Sequence, residues 1–377
     1  MPAEKAAIQG STDPSFAPLR AAFASIFADG LEQGAAVAVM VDGKLVADLW
    51  GGFADQAATK PWQRDTLVNI WSATKGVMAL AIAMLVERGK LSYERPIADV
   101  WPGFGVNGKE HISLDLAMSH QAGLNGLDVP MDLAGTYAWT PYVDALAKMA
   151  PLWEPGSRCV YHAFSYGHLA GEPLRRVDGR SPGRFVAEEI AGPLGVPIYI
   201  GLPAQEDHRV AELIEGPKAS DWLAETLAGP YPHACRNPDV AATTPNDRAW
   251  RAAEIPGANG QSDARALATM YGSLAAGKSR LISDAGLAAA TRQRFDGLDA
   301  CFQTPSRYGA GFHLGDASNG AKASRNAFGH TGWGGTFAFA DPEARIGFAY
   351  VTNRMLGFDD GIDPRRQRLV DAVYEVL

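Results

Sequence analysis

Cysteine is scarce in this chain of 377 residues, and a long apolar segment and a run of basic residues are both missing. The three cysteines, Cys159, Cys235 and Cys301, are odd in number and widely spaced, which predicts free thiols rather than a disulfide framework or a zinc site. The longest apolar run, from Val77 to Val86, is too short to cross a membrane. A net charge of −8 without any Lys/Arg-rich stretch argues against nucleic acid as a partner.

An export signal is also missing from the first residues. No basic stretch leads into an apolar one after Met1-Pro2-Ala3-Glu4-Lys5, so the sequence predicts a cytoplasmic protein. The segment from Gly103 to Gly108 has the letters of a dinucleotide-binding loop, but it follows Trp101-Pro102 and opens no helix. We therefore expect neither a cofactor nor a metal, and the sequence leaves the oligomeric state open.

Strands are predicted near both ends of the chain, with helices between them. An Asp42-Gly43 pair between two apolar runs predicts a hairpin over residues 35–50. The other predicted elements are a helix at 14–28, a buried helix from Ser72 to near Gly89, a helix at 166–177, strands at 308–314, 327–331, 336–340 and 346–352, and a closing helix at 365–376. The pattern predicts an α+β fold with one antiparallel sheet. Residues 1–110 and 305–377 are expected to form the sheet domain and residues 111–304 a mostly helical domain, with the active site in the cleft between them.

A hydroxyl and an amine lie one helical turn apart in the segment Trp71-Ser72-Ala73-Thr74-Lys75. Positions i and i+3 share a helical face, and the start of a helix offers free backbone N–H groups to a developing anion. This arrangement is typical of a serine acyl-transfer enzyme whose base is lysine, provided that burial or a neighbouring cation lowers the pKa of the lysine. The alternative is that Ser72 caps the helix and Lys75 is solvated.

A tyrosine can complete such a site by passing the serine proton to the leaving alkoxide. Tyr161 is the candidate because it follows a Pro155-Gly156 turn and leads into a helix, although simple packing of its ring is the alternative. The Gly-x-Ser-x-Gly motif at residues 179–183 does not compete, because a nucleophile elbow needs a backbone N–H on the residue after the serine and Pro182 has none. Ser181-Pro182 instead predicts a helix N-cap and first helical residue.

Four segments in sequence order resemble the serine β-lactamase and penicillin-binding-protein superfamily. They are Ser72-x-x-Lys75, Met118 to Leu124, Tyr161-His162-Ala163, and Gly329 to Gly335 with the sequence Gly-His-Thr-Gly-Trp-Gly-Gly. More narrowly, residues from about 34 to about 353 resemble the class C β-lactamase-like carboxylesterases, the family VIII esterases. The resemblance implies Ser72 as the nucleophile and Lys75 with Tyr161 as the base and proton relay. It also places His330-Thr331-Gly332 where the superfamily has its Lys-Thr-Gly strand, and the N–H groups of Ser72 and Trp333 as the oxyanion hole.

Two departures from the β-lactamase pattern favour an esterase. His330 replaces the usual lysine and would be mostly uncharged at pH 7, and Ala163 replaces the asparagine that binds a side-chain amide. A site without both groups should prefer neutral esters to anionic, amide-bearing antibiotics. The sequence therefore predicts a serine carboxylesterase acting on small esters of short acyl chains. The second hypothesis is a β-lactamase or D-amino-acid amidase or peptidase using the same residues, and the third is a catalytically silent binding protein with this fold.

Overall fold

A computed structural model describes residues 7–277, 279–315, 322–358 and 363–377. The first six residues, on which the prediction of a missing export signal depends, lie outside this described part. None of the described helices is both long and apolar enough to span a membrane.

Among the described residues, an antiparallel sheet of nine strands is the centre of the fold, and both ends of the chain contribute to it. In spatial order its strands are Gln9–Thr12, Lys44–Gly52, Gly34–Val41, Ile346–Thr352, Phe337–Asp341, Phe328–Thr331, His313–Leu314, Thr304–Tyr308 and Phe295–Asp299. The two chain ends meet where Gly34–Val41 pairs with Ile346–Thr352, with Val39 opposite Phe348. The predicted sheet built from both termini is therefore confirmed.

Two small sheets and the helices complete the secondary structure of the described residues. Val68–Asn69, Gln261–Ser262 and Ile198–Tyr199 form a three-stranded sheet, and Ile214–Glu215 pairs with Arg354–Met355. The α-helices are Ala17–Ala28, Thr74–Glu87, Leu114–Met118, Leu133–Tyr137, Thr140–Lys148, Ser165–Asp178, Pro182–Val186, Gly192–Leu194, Asp221–Ala228, His233–Arg236, Arg248–Ala252, Ala264–Ala275, Asp284–Thr291 and Pro364–Tyr374, with a π-helical turn at Ala187–Ala191. The 3₁₀ turns are Pro14–Phe16, Trp71–Ala73, Ile97–Asp99, Pro102–Phe104, Ala204–Arg209 and Thr244–Asn246.

Helices cover both faces of the large sheet. On one face, Ala17–Ala28 packs beside Pro364–Tyr374, which we call the closing helix, and their apolar side chains form one core with the sheet. On the other face, Ala264–Ala275 lies directly on strand Ile346–Thr352, because Gly272 and Gly347 leave no room for a side chain between the two backbones. Helix Thr74–Glu87, which we call the site helix, is buried from Thr74 to Leu85, as its apolar sequence predicts.

Most predicted local features are confirmed. Asp42 and Gly43 both have positive φ, 51° and 76°, which is the backbone of a type I′ hairpin turn. The side chain of Ser181 accepts a hydrogen bond from the Arg184 N–H and Pro182 is the first helical residue, so the nucleophile-elbow interpretation fails as expected. The three cysteines are free.

The prediction of one strand over residues 308–314 is wrong. The chain forms strand Thr304–Tyr308, bends, and resumes at His313–Leu314. The bend contains Gly311, whose φ is +88°, and a Cβ there would collide with the hydroxyl of Tyr166. A left-handed residue pressed against a buried phenol cannot continue a regular strand.

Two elements of the predicted helical domain pack with the sheet. Helix Ala264–Ala275 covers one face of the sheet, and Phe295–Asp299 is its edge strand, although both fall within residues 111–304. The sequence of the strand, Phe-Asp-Gly-Leu-Asp, carries two aspartates and a central glycine, residue types that are depleted in strands, which weakens the strand signal. The domain division at residues 110 and 305 otherwise stays a prediction.

Candidate active site

Ser72 lies in a tight turn that neighbouring side chains hold in place. Trp71 has a φ of +47°, uncommon for a bulky residue, and its ring packs 4.7 Å from that of Trp333. The Thr74 hydroxyl donates to the Trp71 carbonyl at 2.6 Å and accepts from the Gly260 N–H at 2.9 Å. The residues on either side of Ser72 are buried while Ser72 itself is partly exposed. The turn thus presents one hydroxyl to solvent from a rigid backbone.

Lys75 is completely buried beneath Ser72, with three oxygen atoms around its amine. Its Nζ lies 2.8 Å from the Ala163 carbonyl oxygen, 2.7 Å from the Gly257 carbonyl oxygen and 3.0 Å from Ser72 Oγ. Carbonyl oxygens only accept hydrogen bonds, so they take two amine hydrogens. A neutral amine has no third hydrogen, and its lone pair is then left for the hydroxyl hydrogen of Ser72.

Burial also favours this uncharged state. Desolvation holds the pKa of Lys75 well below its ordinary value, opposed by an electrostatic interaction with Cys235. Carbonyl dipoles stabilise an ammonium less than a carboxylate does, so they compensate little of the desolvation cost. A neutral amine facing a serine hydroxyl can accept its proton.

Tyr161 stands on the other side of Ser72. Its ring centroid lies 4.8 Å from Lys75 Nζ. Burial raises the pKa of this phenol well above its ordinary value, and interaction with the neighbouring Ser72 side chain opposes the rise. The Tyr161 backbone N–H donates to the buried carboxylate of Asp299 at 3.2 Å, and Tyr308 donates its hydroxyl to the same carboxylate at 3.1 Å. Asp299 therefore fixes the backbone from which Tyr161 projects.

His330 is buried and uncharged. Its Nδ1 lies 2.7 Å from the Thr331 carbonyl oxygen, and its ring stacks on His313 at 4.2 Å and lies 6.3 Å from the ring of Tyr161. Burial holds the pKa of His330 well below its ordinary value and lowers that of His313 to about 3. The cationic lysine of the β-lactamase pattern is thus replaced by a neutral imidazole at pH 7.

The loop of residues 332–335, which we call the Trp333 loop, lies against the Ser72 turn. A Cβ on Gly332 would collide with the Ile70 carbonyl oxygen, so only glycine permits this approach. The Trp333 indole donates to the Ala219 carbonyl at 2.5 Å. Within the described part of the chain, the backbone N–H groups of Ser72 and Trp333 have no hydrogen-bond acceptor. Two free donors on adjoining segments can bind an oxyanion.

Comparison with known proteins shows the family to which the chain belongs. The model of the protein family described as Beta-lactamase matches residues 23–372. The chain belongs to the beta-lactamase family. It is 36% identical over 368 residues to the esterase/beta-lactamase LipL of Mycobacterium tuberculosis, covering 92% of this chain and 83% of LipL.

Solved structures of this family resemble the fold closely. One is a family VIII carboxylesterase with a TM-score of 0.91 and 42% identity, covering 98% of this chain and all of that one. Another is a penicillin-binding-protein homologue from Caulobacter crescentus with a TM-score of 0.88 and 41% identity, again covering 98% and 100% of the two chains. The beta-lactamase/transpeptidase-like fold predicted from the sequence is therefore confirmed.

Sequence reasoning missed several residues of the site in this beta-lactamase family member. The carbonyls of Ala163 and Gly257 carry no side-chain signal, and only the Pro256-Gly257 turn hints at an exposed carbonyl. Asp299 lies 138 residues from Tyr161 in the chain, and no motif around this aspartate predicts its contact with Tyr161. A surface cavity of about 620 Å³ lies elsewhere, between Leu287, Arg307 and Phe328, and contains none of the predicted site residues.

Proposed function

We propose that this protein is a serine carboxylesterase that hydrolyses small, neutral esters of short acyl chains through an acyl-enzyme on Ser72. One observation carries the proposal: the buried Lys75 amine lies between two carbonyl oxygens and the hydroxyl of Ser72. Such an amine is a proton acceptor at neutral pH, which a solvated lysine is not. The similarity to LipL and to a family VIII carboxylesterase supports the same class of substrate.

Lys75, rather than Tyr161, is the group that accepts the serine proton. Burial lowers the pKa of Lys75 and raises that of Tyr161, so at neutral pH the amine is free to accept a proton while the phenol still holds its own. Ser72 Oγ bonds to the ester carbonyl carbon as its proton passes to Lys75. The bond from that carbon to the alcohol oxygen then breaks. Tyr161 gives its own proton to the departing alkoxide and takes up the proton that Lys75 accepted from Ser72, so the amine and the phenol both return to their starting states.

The carbonyl oxygen of the ester becomes negatively charged during this attack. The N–H groups of Ser72 and Trp333 are the donors proposed to bind that charge, and Gly332 lets the strand end approach closely enough for both to reach one oxygen. Water then attacks the acyl-enzyme with Lys75 again as base, releasing the acid and restoring the Ser72 hydroxyl.

Uncharged groups around the reacting atoms favour esters over β-lactams. His330 supplies no positive charge for the carboxylate that β-lactam antibiotics carry, and Ala163 supplies no side-chain hydrogen bond for their amide. A β-lactamase or a D-amino-acid amidase or peptidase using the same three residues is the second candidate. The name of the relative LipL, esterase/beta-lactamase, includes this second activity, so the test below measures β-lactam turnover as well.

The direct test is covalent labelling combined with substrate comparison. A p-nitrophenyl phosphonate should add one phosphonyl group to the intact protein, and peptide mapping should place it on Ser72. Ser72→Ala should show no added mass, and Tyr161→Phe should be labelled more slowly at the same serine. p-Nitrophenyl esters of short acids should be turned over faster than a chromogenic cephalosporin. Faster cephalosporin turnover would make the second candidate the better one, and no turnover of either would favour a silent binding protein.

A further inference from the structure

Four aromatic rings, those of Tyr161, Phe302, Trp222 and Trp333, form a continuous arc of ring contacts. The Phe302 ring lies 5.1 Å from Tyr161 and 6.0 Å from Trp222, and Trp222 lies 5.2 Å from Trp333. Trp333 in turn contacts Trp71, which directly precedes Ser72. Both ends of the arc are therefore attached to residues that adjoin the reacting hydroxyl.

The middle of this arc is accessible to solvent, unlike the aromatic residues of the core. Phe302 is 37% exposed, and Trp222 and Trp333 are partly exposed, whereas Trp71 is 3% exposed and Trp250 is fully buried. Large apolar side chains left open beside a reactive group are typical of a binding surface. The rings of Trp222 and Phe302 meet edge to face, with an interplanar angle of 66°.

The position of Phe302 shows which part of an ester would contact it. In the proposed reaction the carbonyl oxygen faces the N–H of Trp333, and the alcohol oxygen receives its proton from Tyr161. Phe302 packs directly on the ring of Tyr161, so it stands on the side where the alcohol leaves. Trp222 bridges from Phe302 to the Trp333 loop and extends the same wall.

We propose that Phe302 and Trp222 form a binding wall for the alcohol half of the substrate and select esters of arylmethyl alcohols with small acids. This inference rests on the proposed function and adds a substrate class to it. A flat ring on the alcohol can contact both side chains, while a methyl or ethyl alcohol reaches neither fully. Each aromatic contact of this kind contributes enough for roughly a tenfold preference.

Two isomeric esters separate the alcohol side from the acyl side. Benzyl acetate and methyl phenylacetate contain the same atoms, but the ring is on the alcohol in the first and on the acyl group in the second. Ethyl acetate serves as a reference without a ring, and its alcohol is a leaving group similar to benzyl alcohol. We expect the wild type to hydrolyse benzyl acetate with kcat/KM at least about tenfold above that for ethyl acetate.

Phe302→Ala and Trp222→Ala test the wall itself. Each should lower kcat/KM for benzyl acetate about five- to tenfold and change the value for methyl phenylacetate and ethyl acetate far less. Leu298→Ala is the matched control, because Leu298 is 52% exposed on the strand that precedes Phe302. Successive side chains of a strand point to opposite faces, so Leu298 points away from the face on which Asp299 contacts Tyr161. It should leave all three values unchanged.

The outcomes distinguish this inference from the proposed function. A wild type that hydrolyses none of the three esters would contradict the esterase function itself. Hydrolysis with unchanged benzyl preference in both variants would overturn the aromatic wall alone. A loss confined to methyl phenylacetate would overturn the assignment to the alcohol side. Titration of active serines with the phosphonate corrects each rate for the folded fraction.

Discussion

At the scale of single residues, the candidate site contains a buried lysine that two backbone carbonyls hold in place. Ser72 and Lys75 could be predicted from their spacing, because a shared helical face follows from sequence alone. The carbonyl acceptors of Ala163 and Gly257 could not be predicted, because every residue has a backbone carbonyl and both residues belong to segments distant from Lys75 in the sequence. The lysine base requires a lowered pKa, which burial or a neighbouring cation could supply; in the structure burial lowers it, and the carbonyls explain how the neutral amine is oriented.

The burial of Lys75 predicts a pH-dependent stability. The fold keeps this amine uncharged, whereas an unfolded lysine stays protonated up to about pH 10.4. Between the lowered pKa and that value the unfolded chain binds one proton more, so the free energy of unfolding should rise with pH. Relative to Lys75→Met, the wild type should gain up to about 1.4 kcal/mol per pH unit between pH 7 and pH 10.

Urea denaturation of both proteins at pH 7, 8.5 and 10 measures this gain. Lys44→Met removes a lysine from the exposed start of its strand and provides the control for the loss of one lysine. A difference between wild type and Lys75→Met that stays the same from pH 7 to pH 10 would mean that the folded Lys75 has an ordinary pKa.

At the scale of elements, the closing helix supports the Trp333 loop through one buried arginine. Arg365 donates to Glu32 at 2.9 Å, to the Arg354 carbonyl at 2.8 Å and to the Gly334 carbonyl at 2.7 Å, and both charged side chains are fully buried. The sequence predicts the closing helix from its pattern. It could not predict this pair, because the two residues are 333 positions apart and charged letters usually indicate a solvated face.

Removing only one partner of this pair should be costly. Arg365→Met leaves the Glu32 carboxylate buried without its cation, and we expect a loss of about 3–5 kcal/mol in the free energy of unfolding. Adding Glu32→Gln should recover part of that loss, because the buried charge is then removed as well. Arg368→Met, on the same helix, breaks an exposed pair with Asp29 and should cost under about 1 kcal/mol. Equal losses in the Arg365 and Arg368 variants, measured by urea denaturation, would contradict this interpretation.

Strand boundaries show where element-level prediction reaches its limit. The hairpin at Asp42-Gly43 follows from local turn chemistry and is confirmed. The break at Gly311 follows from the hydroxyl of Tyr166, which belongs to a distant helix. A local sequence pattern cannot predict a steric contact that forms only when the chain has folded.

At the scale of the whole molecule, the two chain ends form one sheet while the candidate site draws on widely separated segments. Ser72 and Lys75 come from the site helix and the turn before it, Tyr161 from the middle of the chain, and Trp333 from the end of a sheet strand. The resemblance of these motifs, in their sequence order, to the serine β-lactamase superfamily predicted that these segments meet in one site. The placement of helix Ala264–Ala275 and strand Phe295–Asp299 with the sheet was not predictable, since it depends on tertiary contacts rather than on local pattern.

The overall charge and the neutral site together predict discrimination against anionic esters. The chain carries a net charge of −8, and burial keeps Lys75 and His330 uncharged in the candidate site. A carboxylate on the substrate would lose hydration without gaining a cation. Monoethyl succinate should therefore show a kcat/KM at least about tenfold below that of diethyl succinate at pH 7.5.

Varying the ionic strength separates the repulsion by the net charge of the protein from the lack of a cation in the candidate site. Raising the salt concentration from about 0.05 M to about 0.5 M screens the long-range repulsion. The ratio of kcat/KM for diethyl succinate to that for monoethyl succinate should then decrease but stay above one. Equal or faster turnover of the monoanion would show that a cation serves the site.

The most direct test of a neutral Lys75 acting on Ser72 is the pH dependence of serine phosphonylation by an uncharged p-nitrophenyl phosphonate, followed by intact-protein mass. We predict that the rate rises with a single ionisation centred well below pH 10.5, reaches a plateau, and is lost in Lys75→Met. A rate that keeps rising through pH 10, or one that survives in Lys75→Met, would contradict the assignment of Lys75 as the base.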